Sequence, residues 1–290
     1  MRTRPRATAT FLVAAVLTGC SGSPDEGKPV ESRAAATPGQ SRQAAPAEPR
    51  PRTAAEFLAR AEQAMAAEKG WTFAVEGREG IVLQGQESTA TYTATVHRTT
   101  GGAWALHSQG SSRSSKGVTE AEEIYVVDGT AHVKEGTAAW KHGPLSDPEF
   151  ADQVEDPVAA LDAFREYGDA VSVSEDEEAD GGVRLSVRTT SAALTAVREQ
   201  RVVRKALREL APTLKQLRAA GVSAPESRIR VERVEESVVL APSTYRITAH
   251  TFRCAFLIPY GGQDIRYDQL VTERTSGAYE GAVALPEGVV

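Results

Sequence analysis

The feature that most restricts the fold is STATYTATVH at 88–97, in which two kinds of side chain alternate strictly. The even-numbered positions from Ala90 to Val96 are apolar or aromatic, and the odd-numbered positions from Thr89 to Thr95 are all threonine. Successive side chains of an extended chain point to opposite faces. The segment therefore predicts an antiparallel strand with one covered face.

Other segments continue this pattern and are joined by short turns. GAWALHSQ at 102–109 places Trp104 and Leu106 on the expected inner side, and EEIYVVDGTAHVKEG at 122–136 is typical of a hairpin that turns at Asp128-Gly129. We expect further strands in AVSVS, VRLSVRT, SRIRVERVEES, STYRITAHTFRCAFLI and IRYDQLVTERT. Within STYRITAHTFRCAFLI the apolar parity flips near His250, which predicts a β-bulge there.

Three segments predict helices. Thr53 and Glu56 form a capping-box pattern ahead of an apolar face, and Gly70 closes that helix. Asp156 and Pro157 begin a second helix, which ends at Gly168. The longest is expected over 191–220 with a bend or break near Pro212. Its predicted apolar stripe consists of Val203, Leu207, Leu210, Leu214 and Leu217.

The order of these elements predicts an α+β fold. Links between consecutive strands are short, which favours an antiparallel sheet. We expect a strongly curved sheet with helices packed over one face, formed by residues 53–290 as one domain. Length alone is also compatible with two domains.

The N-terminus has the form of an export signal. Arg2, Arg4 and Arg6 precede a short apolar run at 11–17, far shorter than the roughly 20 residues of a membrane-spanning helix. Leu17-Thr18-Gly19-Cys20 resembles the bacterial lipobox, which implies removal of residues 1–19 and attachment of diacylglycerol to Cys20. Two acyl chains anchor a protein stably where one does not. The alternative is an ordinary secretory signal with a chance cysteine.

Residues 20–52 are predicted to be the lipidated cysteine and a disordered tether, since the segment is rich in Pro, Ala, Ser and Gly. The expected location is the extracytoplasmic face of the cell membrane. Removing three arginines with the signal changes the formal charge from −6 to −9. This acidic balance argues against a nucleic-acid partner.

The remaining cysteine, Cys254, lies in the apolar run TFRCAFLI. One cysteine forms no intramolecular disulfide, and we interpret it as a buried, inert thiol. A nucleophilic role would require a histidine nearby and an electropositive setting.

No recognisable catalytic or metal motif stands out, so we expect no enzyme, cofactor or metal site. The five histidines have no zinc-type spacing, although His97 and His107 flank one hairpin and can approach each other. In SSRSSKG, Arg113 occupies the position that a Ser-x-x-Lys motif needs to be serine. The acidic run SEDEEADGG lacks the final glutamate of a calcium loop, with Val187 in its place.

One hairpin carries a resemblance to a known family. Its residues are Tyr125, Val126, Val127, Gly129, Val133, Lys134 and the following Trp140. With the lipobox, the tether, the opening helix and the final GAVALPEGVV, this pattern resembles the LolA-like actinobacterial lipoproteins of the LppX/LprG group. The resemblance implies a half-barrel whose concave face, covered by helices, forms an apolar cavity for acyl chains.

Two functions follow as alternatives. The first is an anchored envelope lipoprotein that binds or carries a lipid or other amphiphile in an apolar cavity, lined by Val96, Leu106, Leu207 and Phe256 or their neighbours. The second is an envelope sensor or interaction lipoprotein that has a closed core and binds a protein partner. A basic stripe on the long helix favours either a solvated outer face or contact with anionic lipid headgroups; it consists of Arg198, Arg201, Lys205 and Arg208.

Overall fold

The alternating segments form the strands of one antiparallel sheet. The computed structural model describes residues 49–176 and 181–289. The strands in these ranges are β1 (Gly70–Leu83), β2 (Gln86–Thr99), β3 (Leu106–Ser114), β4 (Thr119–Val127), β5 (Thr130–Glu135), β6 (Lys141–Pro144), β7 (Ser172–Asp176), β8 (Gly182–Thr189), β9 (Ala192–Ala193), β10 (Arg230–Leu240), β11 (Ile247–Tyr260) and β12 (Gln263–Ala278). The α-helices are α1 (Ala54–Ala66), α2 (Pro148–Ala151), α3 (Ala160–Tyr167), α4 (Leu194–Val197) and α5 (Arg201–Ala219).

The sheet is open at both ends. Its strand order is β6-β5-β4-β3-β2-β1-β12-β11-β10-β8-β7, with the short β9 paired to β10. Every described pairing is antiparallel, and the outermost strands β6 and β7 do not pair with each other. The predicted fold class, a curved antiparallel half-barrel with helices, is therefore confirmed.

The core lies between the concave face of the sheet and the helices. The described residues from Arg52 onward form one compact unit, whereas the second unit, 12–51, falls almost entirely outside the described residues. The signal peptide, Cys20 and the tether as far as residue 48 also lie outside them, so these assignments stay predictions.

The first helix begins as predicted. The Oγ1 atom of Thr53 accepts a hydrogen bond from the amide of Glu56, and the Glu56 carboxylate accepts one from the amide of Thr53 at 3.0 Å. This reciprocal cap satisfies donors that the first helical turn leaves free. The buried face of α1 consists of Phe57, Leu58, Ala61 and Met65.

The predicted bulge lies two residues before His250. Val239 pairs with Ala249 and Leu240 with Ile247, so Thr248 is the extra residue on β11. The Thr248 hydroxyl donates to the Val239 carbonyl at 3.1 Å. Because the bulge reverses the parity of the strand, it places the following even-numbered residues of β11 on the concave face.

Three helix boundaries differ from the prediction. Helix α1 ends at Ala66, and Gly70, which was expected to close it, is the first residue of β1. The second helix begins at Ala160, because Asp156 accepts a hydrogen bond from the amide of Val158 in a turn that precedes it. The longest helix is divided into α4 and α5, since Gln200 has an extended backbone (ψ 131°). At Pro212, where a bend or break is expected, α5 continues through the proline.

Candidate functional site: an acidic cleft beside a buried charge network

A cleft of about 160 Å³ opens on the concave face. Its walls come from β1 to β5 and β12, and its roof from the segment between α2 and α3 together with α5. The lining residues are Gly77, Arg78, Glu79, Ala90, Thr91, Tyr92, Ser112, Ser114, Glu120, Glu122, Glu135, Asp152, Gln153, Glu155, Glu209, Gln269 and Val271.

The cleft continues the core face of each strand. On β2, Tyr92 and Ala90 have the same parity as the completely buried Val96. On β4, Glu120 and Glu122 have the same parity as the buried Val126. The concave face therefore changes from apolar to polar partway along the strands, and the polar part is where the cleft opens.

Small residues make room for Tyr92 at the base of the cleft. A Cβ atom at Gly110 would lie 2.6 Å from the Thr93 carbonyl oxygen and 3.0 Å from the Tyr92 hydroxyl. A Cβ atom at Gly77 would lie 3.3 Å from the Tyr92 Cβ. The Tyr92 side chain thus lies across glycines on both neighbouring strands, and its pKa is raised by burial and by Glu122.

The lining is strongly acidic. Seven of the lining side chains are carboxylic acids, against one guanidinium, that of Arg78, which pairs with Glu87 at 2.5 Å. A concave site with carboxylates of one sign focuses a negative potential and favours a positively charged group.

A network of buried charged groups lies next to the cleft. The carboxylate of Glu236 accepts hydrogen bonds from Lys205 Nζ at 2.6 Å, from Tyr167 Oη at 2.5 Å and from His250 Nε2 at 2.9 Å. The other ring nitrogen of His250 contacts the Glu273 carboxylate. Glu236 is completely buried and Glu273 is 1% exposed.

The ionisation of this network follows from its contacts. Burial alone would lower the pKa of His250, but Glu273 and Glu236 raise it to about 9, so the imidazole is protonated at neutral pH. Burial works to raise the pKa of Glu236, but Lys205 and His250 hold it well below its usual value. Two cations and two carboxylates therefore neutralise one another, with Lys205 partly exposed at the edge of the core, and this limits the cost of burying the carboxylates.

Glu155 and Glu209 connect this network to the cleft. The pKa of Glu155 is raised well above its usual value by burial and by the charges of Glu273 and Glu209. Glu209 accepts a hydrogen bond from Gln269 Nε2 at 3.0 Å, and Gln269 Oε1 accepts one from the Tyr267 hydroxyl. A ligand in the cleft would therefore lie against groups coupled to the buried charges.

The basic stripe of the long helix is largely neutralised within the chain. Its ion pairs are Arg198 with Glu226, Arg201 with Glu166, Lys205 with Glu236, and Arg208 with Asp152. Lys205 points inward to the buried network, so it does not belong to a solvated face.

The predicted cavity residues lie in the packed core rather than around the cleft. Val96, Leu106 and Phe256 are completely buried, and Leu207 is half-buried against the same core. None of the four lines the cleft, and their role as ligand contacts stays a prediction. Cys20 lies outside the described residues.

His250, Glu236 and Glu273 are not recognisable as a site from the sequence alone. They are buried polar positions on otherwise apolar strands. The two glutamates of this group interrupt the apolar parity of β10 and β12, which is the signal that would have found them.

Comparisons with known proteins do not assign the chain to a family. No family profile and no curated protein matches it. Among solved structures, it is similar to a putative outer membrane lipoprotein-sorting protein domain from Vibrio parahaemolyticus, with 12% identity over 78% of this chain and 92% of that one at a TM-score of 0.29. It is also similar to a LolA superfamily protein from Nitrosomonas europaea, with 8% identity, coverages of 81% and 96%, and a TM-score of 0.28.

A DUF1329 family protein from Desulfovibrio piger matches at 8% identity over 80% of this chain and 93% of that one, with a TM-score of 0.30. TM-scores this low do not establish a shared fold, so the architecture described above rests on the strand order of this chain itself. In the described ranges, no helix has the length and apolar character needed to cross a membrane.

Proposed function

We propose that this chain is an envelope lipoprotein, anchored outside the cytoplasm by acyl chains on Cys20, that binds or carries a lipid or other amphiphile on the concave face of its half-barrel. The observation that supports this best is the cleft, which opens where the core face of the strands becomes polar. A concave site with convergent polar groups is the usual form of a small-molecule site.

The polar part of the ligand would occupy the acidic cleft. Because the volume is about 160 Å³, the cleft accommodates a headgroup rather than a whole lipid. The excess of carboxylates favours an amine or another cationic headgroup. The deeper core is filled by side chains, so an acyl chain would run outward from the cleft or displace the helices above it.

We propose binding rather than catalysis. Cys254, the one thiol in the described ranges, is completely buried, and burial raises its pKa well above the usual value. Nucleophilic cysteines have the opposite property, a lowered pKa in an accessible position.

The second candidate is an envelope sensor or interaction lipoprotein that binds a protein partner. The packed interior favours it, since Val96, Leu106 and Phe256 are completely buried within the core cluster. In this case the acidic cleft would receive a basic side chain of the partner.

Native mass spectrometry of residues 52–290 separates the two candidates. The unit should be produced both in the cytoplasm and by export, because only the exported form meets envelope lipids. The proposal predicts a discrete added mass on the exported form that solvent extraction removes, or uptake of an added cationic amphiphile by both forms. Bare protein in both cases, without uptake, would favour the protein-binding alternative.

A further inference from the structure

Four of the five histidines meet in one row across the convex face. The strand register pairs His97 with His107, His107 with Tyr125, Tyr125 with His132, and His132 with His142. The neighbouring residues in each of the inner strands belong to the buried core, so the row lies on the opposite face of the sheet. Sequence spacing does not show this row, because it exists only once five strands pair in register.

The first half of the row already has partners. His97 Nδ1 lies 3.1 Å from the Thr72 hydroxyl, and its ring stacks on Tyr279 with centroids 4.6 Å apart. His107 Nε2 lies 3.3 Å from the Glu123 carboxylate, and its ring stacks on the tyrosine of the row at 4.3 Å. These imidazoles are held by hydrogen bonds and aromatic contacts.

The second half of the row consists of His132 and His142, and it contains a ring nitrogen without a hydrogen bond. His132 is only 6% exposed, and its Nδ1 atom is buried without a hydrogen-bond partner in the part of the chain that the structure describes. A buried polar atom left in this condition destabilises the folded chain, whereas a bound ion would satisfy it. Its cross-strand neighbour His142 is exposed and lies on β6, the edge strand, so solvent and ions reach the pair.

The two rings are spaced to share one ion. Their centroids are 5.7 Å apart and their planes are inclined by 35°. Imidazole nitrogens coordinate transition metals at about 2.0–2.1 Å, so an ion between the rings needs only side-chain rotation. We propose that His132 and His142 together bind a divalent transition-metal ion of the class that prefers imidazole, with Cu²⁺ the strongest member.

The composition of the site fits this class and not the harder cations. Mg²⁺ and Ca²⁺ require oxygen ligands, whereas imidazole suits Cu²⁺, Ni²⁺ and Zn²⁺, with Cu²⁺ the highest in the affinity order. No group of three or more possible ligands occurs in the described ranges, so water completes the coordination sphere.

Electron paramagnetic resonance with Cu²⁺ tests the proposal on the full chain, purified in detergent without a polyhistidine tag. The expected spectrum shows one bound ion with nitrogen couplings, since the carboxylates of the cleft would supply only oxygen ligands. His142→Gln should raise the dissociation constant about tenfold or more. Because His142 is exposed, this variant is expected to fold normally, and circular dichroism checks that it does.

Two further variants locate the ion. His132→Gln should weaken binding as His142→Gln does, whereas the matched control His97→Gln, in the same row but with its nitrogen hydrogen-bonded, should not. A spectrum without nitrogen couplings would overturn the proposal. So would unchanged affinity in His142→Gln, or equal loss in the control, because the ion would then bind elsewhere. The result is independent of whether the cleft binds an amphiphile.

Discussion

At the scale of single residues, His250 organises the charges buried in the core. Its two ring nitrogens contact carboxylates from strands on either side, Glu236 of β10 and Glu273 of β12. Because Lys205 adds a second cation from α5, the network joins the helix layer to the sheet. Removing one member leaves the others with an uncompensated charge, which is far more costly than replacing the whole network by apolar residues.

This contact predicts how stability depends on pH. The pKa of His250 is raised to about 9 in the folded chain from a usual value of 6.5. Its contribution to stability is therefore fully present below pH 6.5 and is lost as the pH rises through 9. The free energy of unfolding, measured with urea, should fall by about 3 kcal/mol across this interval in the unmodified chain.

The variant His250→Gln should lack that pH-dependent loss, although it is less stable throughout. His97→Gln is the control, because burial and His107 lower the pKa of His97 and its titration falls below the interval. An equal fall in stability for the unmodified chain and His250→Gln would show that His250 is not the titrating group.

Such residue contacts are the part of the site that the sequence could not predict. Glu236, His250 and Glu273 lie on three different strands, and only the register brings them together. The parity change near His250 predicts a bulge but not the buried charge cluster. The bulge at Thr248 is real, and its consequence is that it turns His250 inward.

At the scale of elements, α5 packs on the sheet through a face that combines aliphatic and small side chains. Its completely or nearly buried positions are Val202, Val203, Ala206, Leu210 and Thr213. The predicted leucine stripe shares Val203 and Leu210 with this set, whereas Leu207 lies to one side and is half-buried. The contacting face of α5 is therefore rotated relative to the predicted stripe, so that Ala206 and Thr213 face the core in addition to Leu210.

Leu210→Ala and Leu207→Ala form a matched pair within this helix. Leu210 is completely buried, so its truncation should cost about 3 kcal/mol of unfolding free energy. Leu207→Ala should cost about 1 kcal/mol, because part of the side chain is already in water. Urea denaturation measures both, and equal costs would contradict the orientation of α5 described here.

The strands were easier to predict than the helices for a physical reason. The two-residue alternation of side chains is visible in segments such as 88–97. Short turns that contain glycine then fix the antiparallel pairing of these strands. The helix boundaries depend on tertiary contacts: Asp156 is held in a turn by Arg98 at 2.8 Å, and Gln200 contacts Thr189. No local sequence pattern indicates either of these two interactions.

At the scale of the whole molecule, the half-barrel has one concave face with two chemical halves. The apolar half is packed with side chains, including three of the four residues predicted to line a cavity. The polar half, with its carboxylates and small residues, holds the cleft. Alternation in the sequence shows which residues share a face but not where along that face the helices cover it.

The central claim is that the cleft receives the ligand, and a matched pair of tryptophan variants tests it most directly. Ala90 lines the cleft, whereas Thr93 lies on the same strand and is exposed on the opposite face. Ligand occupancy of each variant would be measured by native mass spectrometry with an added cationic amphiphile. We predict that Thr93→Trp binds as the unmodified chain does and that Ala90→Trp loses the bound mass. Equal occupancy in both variants would contradict binding in the cleft.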